Sequence, residues 1–171
     1  MRIFLVGFMG SGKSHCGRIL AGLLGMPFVD LDDYVAKRAG MSITEIFAYH
    51  SEGYFRELER DVLLSLAALP YFVMATGGGT PCYHNLIADL NELGTTVFLD
   101  VAPELLLERL QPEAGHRPLL ATAENLERSI LDKLSERRPC YEQATIHLRI
   151  DNQTDDVARL VYTHLLRLQS T

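Results

Sequence analysis

The stretch RIFLVGFMGSGKS at Arg2 to Ser14 constrains this chain more than any other. An apolar run ends in glycines, and a lysine and a serine then open a segment of helical period. Gly7, Gly12, Lys13 and Ser14 fill the fixed places of GxxxxGK[ST]. Glycines let backbone N–H groups turn inward around an anion, and the positive end of the following helix points at the same place. Lys13 then reaches the β- and γ-phosphates of a nucleoside triphosphate, and the Ser14 hydroxyl ligates Mg²⁺. An ordinary glycine turn is the competing reading; the full match between a strand and a helix argues against it. The motif names a phosphate donor and leaves the acceptor open.

The remaining sequence frames that loop as part of an α/β chain. Short apolar runs alternate with longer helical segments, the pattern of a parallel sheet covered by helices. Strands are expected at Arg2 to Val6, Pro27 to Asp30, Tyr71 to Thr76, Thr95 to Val101 and Thr145 to Ile150. Helices are expected to open at Lys13, to cover Leu31 to Ala39, and to start again at Ile43 and at Tyr54, the last ending near Ala67. Further helices are expected over Tyr83 to Leu93, Pro103 to Leu110, Ala123 to Tyr141 and Asp155 to Leu168. Ser42 with Glu45 has the spacing of a helix-start box, and Asp155 and Asp156 suit the positive end of the last helix. Gln111 to Thr122, with Pro112, Gly115 and Pro118 around His116 and Arg117, reads as a mobile loop of the kind that forms lids.

Composition narrows the partners. At 171 residues the chain suits one domain, 1–171, and a hydrophobic fraction of 47% with 22% charged residues is that of a globular protein. A formal net charge of −6 argues against a broad nucleic-acid footprint, which needs many Lys and Arg to neutralise phosphates. Cys16, Cys82 and Cys140 are widely spaced, odd in number and without CxxC spacing, so neither a disulfide framework nor a zinc site is expected. A cytoplasmic protein without membrane partners is expected, since no segment reads as a signal peptide or a span. A monomer is the default.

Several residues compete for the acceptor side. Asp30 and Asp32 follow the second strand at the carboxyl edge of the sheet; one can hold a metal ion and the other take a proton from an acceptor hydroxyl, or both can simply cap a helix. Arg56 and Glu59 share one helix face, as a structural ion pair or as a held guanidinium fork for a carboxylate. Gly77 to Gly79 allow close approach of a ligand to backbone N–H groups, or form a plain turn. Arg117, Arg137 and Arg138 are either surface charge or cations aimed at a transferred phosphoryl group.

Together, GFMGSGKS, DLD, FRELE, TGGG, HRPLL and ERRPCY resemble, in order and approximate spacing, the shikimate kinase family, from about the first strand to the last helix. The resemblance implies a three-layer, nucleoside-monophosphate-kinase-like P-loop fold with a five-stranded parallel sheet in order 2-3-1-4-5. It also implies a substrate-binding helical region at about 31–62 and a lid at about 111–122. The implied reaction moves the γ-phosphoryl of MgATP to the 3-hydroxyl of shikimate. Lys13, Asp32 and Arg117 would be catalytic, with Asp32 the base and Arg117 on the transferred group. Gly10, Ser11, Gly12, Lys13, Ser14, His15, Arg109 and Arg117 would meet ATP, Arg109 lying against the adenine. Ser14, and Asp30 through water, would serve Mg²⁺. Asp32, Arg56, Gly78, Gly79 and Arg137 would bind shikimate, Arg56 and Arg137 holding its carboxylate, with Arg138 the alternative to Arg137. His15 and Cys16 depart from the family pattern after Ser14, and Cys140 stands where its RxPLY motif has leucine. A gluconate-type kinase and a non-catalytic nucleotide-binding module are the rival readings.

Overall fold

A computed structural model describes residues 1–112, 125–153 and 156–169. Five strands form one parallel sheet: β1 (Arg2–Val6), β2 (Phe28–Asp30), β3 (Phe72–Ala75), β4 (Thr95–Val101) and β5 (Ile146–Ile150). Their order is β2-β3-β1-β4-β5, as the resemblance implied. The described helices are α1 (Lys13–Leu24), α2 (Leu31–Ala39), α3 (Ile43–Tyr49), α4 (Glu52–Ala67), α5 (Leu86–Leu93), α6 (Pro103–Leu110), α7 (Leu126–Tyr141) and α8 (Val157–Gln169).

The burial of each strand follows from its place. In central β1, Ile3, Phe4, Leu5 and Val6 are all fully buried, because helices cover both faces of a parallel sheet. Edge strand β5, IHLRI, alternates buried and exposed residues, since only one face is covered. Parallel pairing puts every carboxyl end on one edge of the sheet. The segments after β1, β2 and β3 therefore converge there, although they lie far apart in sequence.

Helix boundaries follow local capping. Ser42 and Glu45 form the expected reciprocal box at the start of α3. The fourth helix begins at Glu52, ahead of the expected Tyr54, because Ser51 Oγ accepts from the Tyr54 N–H at 3.2 Å and caps it. Asn125 caps α7, whose expected start at Ala123 lies outside the described residues, as does Asp155; Asp156 Oδ1 accepts from the Arg159 N–H at the last helix. The expected helix Tyr83 to Leu93 is corrected: residues Thr80–Asn85 form a 3₁₀ turn with a break, and α5 starts only at Leu86. His84 and Asn85 adopt left-handed φ values of 51° and 56°, a conformation that Asn and His tolerate better than most residues. The turn folds back on the glycines, with the Thr80 N–H bonded to Gly77 O and the Cys82 N–H to Gly79 O.

Candidate active site

The phosphate loop Gly7 to Gly12 joins β1 to α1 at the shared edge. Gly7 has φ 143°, and a Cβ there would lie 2.9 Å from the Leu99 carbonyl oxygen, so only glycine fits against β4. Lys13, 8% exposed, donates from Nζ to the carbonyls of Gly7 and Phe8, both at 2.8 Å, which holds its charge inside the loop. His15 stands in the first turn of α1, with Gly10, Ser11 and Gly12 just before it.

The two readings of Asp30 turn out to be compatible. Its Oδ1 accepts from the Asp32 N–H at 3.3 Å and caps α2, while its Oδ2 accepts from Ser14 Oγ at 2.6 Å. A hydroxyl and a carboxylate oxygen therefore stand side by side next to the loop. Both are hard oxygen donors suited to Mg²⁺. Asp32 stands over the glycines: a Cβ on Gly77 would lie 3.4 Å from its Oδ1. Asp32 is exposed as a residue, but loss of water around its carboxyl in the cleft, then the charge of Asp30, raises its pKa above the ordinary value; Lys13 and Arg56 pull it back.

Arg56 is a held fork. Its Nη1 donates to Glu59 Oε2 at 2.8 Å and its Nη2 to Glu52 Oε1 at 3.1 Å. Arg56 is 5% exposed and Glu59 1%, so the pair is not the weak surface bridge that spacing alone allowed. Burial works to lower the Arg56 pKa, and Glu59 and Glu52 outweigh it, so the guanidinium stays charged. Thr80 Oγ1 donates to the other oxygen of Glu59. Through that bond α4 is tied to the turn after the glycines. The fit there is close, since a Cβ on Gly79 would lie 2.7 Å from Arg56 Cζ.

Arg137 and Arg138 point to different surroundings from α7. Arg138 is committed to Asp100, donating from Nη1 at 2.9 Å and from Nη2 at 2.7 Å, with His147 on the same carboxylate. Arg137 faces the other way, its Cζ 5.8 Å from the centroid of Phe8 in the phosphate loop. Among the described residues, Arg137 Nη1 is a buried side-chain atom without a hydrogen-bond partner. It lies 3.6 Å from where a Gly78 Cβ would stand. A buried guanidinium donor left open is costly unless an anion meets it. Arg56, Gly79 and Arg137 line one cavity of about 400 Å³.

A second cavity, of about 500 Å³, lies on the outer side of the loop among Ser11, Gly12, His15, Arg109, Gln153 and Asp156. Arg109 Nη1 donates to Gly10 O at 3.2 Å, which holds the side chain against the loop. Arg117 and most of the expected lid lie outside the described residues.

The family model described as "Shikimate kinase" matches residues 9–168. A shikimate kinase of Bacteroides thetaiotaomicron is 40% identical over 157 residues, covering 91% of this chain and 90% of that one. The chain belongs to the shikimate kinase family. The solved shikimate kinase of Acinetobacter baumannii, in complex with shikimate, superposes with a TM-score of 0.87 at 36% identity over 99% of this chain and 93% of that chain. A Sinorhizobium meliloti gluconokinase shares the fold alone, at 20% identity and a TM-score of 0.58 over 98% of this chain and 92% of that one.

Within the family frame, several supporting residues escaped sequence reasoning. Thr80 on Glu59, and Tyr141, whose hydroxyl donates to Gly78 O at 2.5 Å, buttress the glycines from different elements. Only Glu52 left a local signal, standing four residues before Arg56 on the same helix. Cys82 and Cys140, remote in sequence, meet in the structure as free thiols.

Proposed function

We propose that this chain is an ATP-dependent kinase that transfers the γ-phosphoryl group of ATP to the 3-hydroxyl of shikimate, giving shikimate 3-phosphate and ADP. The observation that carries the acceptor assignment is the pair of guanidiniums, one clamped and one with an open buried donor, that face a single cavity beside the phosphate loop. A planar carboxylate satisfies both forks at once.

In this reading residues 1–171 act as one kinase domain and function as a cytoplasmic monomer. Backbone N–H groups of Gly10 to Ser14, with Lys13 and His15, hold the phosphates, and Arg109 packs against the adenine in the outer cavity. Ser14 and Asp30 hold Mg²⁺, the latter through water, and the ion supplies neutralisation of charge on the β- and γ-oxygens. Arg56 and Arg137 orient shikimate by its carboxylate in the cavity that they line with Glu52 and Gly79, and the helical region 31–62 and Gly78 complete the acceptor side. Asp32 hydrogen-bonds the reacting hydroxyl and takes its proton as that oxygen bonds to the γ-phosphorus and the bond to the β,γ-bridging oxygen breaks. Its raised pKa favours proton acceptance. Arg117, in the lid 111–122, contacts the transferred group. Because the transition state is loose, positioning and charge neutralisation contribute more than base strength.

A coupled assay of ADP release with shikimate, gluconate and nucleoside monophosphates tests the assignment. ADP release with shikimate alone is expected. Comparable turnover with gluconate would overturn the acceptor assignment, and no turnover with any acceptor would favour a non-catalytic module.

A further inference from the structure

Cys82 lies in the 3₁₀ turn that follows Gly79, and Cys140 lies in the last turn of α7, three residues after Arg137. Cys82 Sγ donates to the Arg137 carbonyl oxygen at 3.8 Å, one helical turn before Cys140, and the two thiols perturb each other's acidity. Both are half-buried and both line the cavity of about 400 Å³ that Arg56, Gly79 and Arg137 line. The pair thus spans two walls of one pocket, one in the turn after Gly79 and one on α7.

We propose that Cys82 and Cys140 form a redox-sensitive dithiol in the wall of the acceptor pocket, which a hydroperoxide converts to a disulfide that impairs acceptor binding. Cys140 is the attacking sulfur. The Cys82 thiol lowers the Cys140 pKa, burial opposes this, and the nearby Arg137 charge adds to the lowering. The same interaction, with burial, raises Cys82, the resolving partner. Cys16 is the internal contrast: it is buried, and burial pushes its pKa up to about 12, which makes it inert.

The chemistry balances with hydrogen peroxide as the oxidant. The Cys140 thiolate attacks one peroxide oxygen, the O–O bond breaks, and a sulfenic acid forms with release of water once the leaving oxygen is protonated. The Cys82 sulfur, losing its proton, then displaces the hydroxyl from the Cys140 sulfur, giving the S–S bond and a second water. Two thiols and one peroxide thereby give one disulfide and two waters. A dithiol reductant reverses the step by exchange.

The link to function lies in the lack of slack around Gly79. An S–S bond of about 2.05 Å is shorter than any non-bonded thiol contact, so closing it draws the turn and α7 together. That turn begins where Gly79 is packed so closely on Arg56 that an added methyl would clash. Movement there displaces the backbone and the guanidinium that face the acceptor. The outer cavity beside Arg109 does not include either cysteine, so nucleotide binding is spared. Cys140 stands where the family motif has leucine, which forms no such bond, so the device belongs to this sequence.

The catalytic consequence rests on assigning this cavity to shikimate, whereas the cross-link does not; the experiment reads the two apart. Full-length protein is treated with hydrogen peroxide, then alkylated, digested and mapped by mass. A Cys82–Cys140 linked peptide with Cys16 still alkylated is expected. In protein whose untreated form releases ADP with shikimate, the shikimate KM is expected to rise about tenfold or more, as for a small misplacement of binding groups. The ATP KM is expected to stay unchanged and dithiothreitol to restore the starting value. Cys82→Ser and Cys140→Ser, each measured against its own untreated activity, are expected to keep their shikimate KM under peroxide. Two reactive thiols after treatment would overturn the proposal. So would a linked protein that binds shikimate as before.

Discussion

Asp32 serves chemistry and stability in opposite directions. Loss of solvation and the neighbouring Asp30 raise its folded-state pKa above the unfolded value, which is about 3.9. The stabilising contribution of such a group is complete below the unfolded pKa and is lost as pH rises through the folded one, so at neutral pH the ionised carboxylate costs stability. Asp32→Asn is therefore expected to lower turnover by about 10²-fold or more while raising the urea midpoint at pH 7, with the gain vanishing below the unfolded pKa. A lower midpoint at pH 7 would contradict the sign. In the wild type, the acid limb of the kcat profile is expected above the ordinary carboxylate range for the same reason. Arg137 and Arg138, adjacent in sequence, separate just as sharply. Arg137→Ala is expected to raise the shikimate KM by about 10- to 100-fold, the worth of a charge-assisted hydrogen bond, with melting temperature nearly unchanged. Arg138→Ala leaves buried Asp100 with His147 and Arg149 among the described residues, and is expected to cost about 2 kcal/mol of stability by denaturant titration with little change in KM. An exchange of these two phenotypes would mean that the helix presents the opposite face.

The glycine turn and α4 behave as one element of the pocket. Glu59 accepts from Arg56 on one oxygen and from Thr80 on the other, so the helix and the turn share a buried carboxylate. Gly79 has φ −91°, which any residue can adopt, so an alanine there introduces no backbone strain. The obstacle is the Arg56 guanidinium against which its Cβ would stand. Gly79→Ala is accordingly expected to weaken shikimate binding about tenfold or more in calorimetry while ATP binding and the far-UV spectrum stay unchanged. Retained shikimate affinity would show that the guanidinium has room to move. The residues around this turn also explain where helical periodicity misled. Leu86, Ile87 and Leu90 carry a true amphipathic pattern, but Tyr83 to Asn85 are spent on reversing the chain, and His84 is turned out to bond Glu57.

At the scale of the whole molecule, the sheet edge presents two cavities, one beside Arg56 and Arg137 and one beside Arg109 with Ser11 and Gly12 of the phosphate loop in its lining. Ligands in separate sites should stabilise the fold separately. Shikimate or ATP at about 100 times its Kd is expected to add about 2.7 kcal/mol, or roughly 5–10 °C for a chain of this size. Lys13→Met is expected to abolish the ATP shift and leave the shikimate shift, which differential scanning calorimetry checks; loss of both shifts would indicate a collapsed loop. The phosphate loop, the strand pattern and the ordered motifs were legible in the chain itself, because glycine stereochemistry, hydrophobic period and helix polarity act over a few neighbouring residues. The partnerships across the cleft were not. That Asp30 caps α2 and also meets Ser14, that Arg138 is taken up by Asp100 while Arg137 keeps an open donor, and that Thr80 and Tyr141 meet the glycine turn follow from parallel pairing and from the rotation of α7. Those depend on contacts between segments remote in sequence, where packing in three dimensions alone decides which side chains share a dry space.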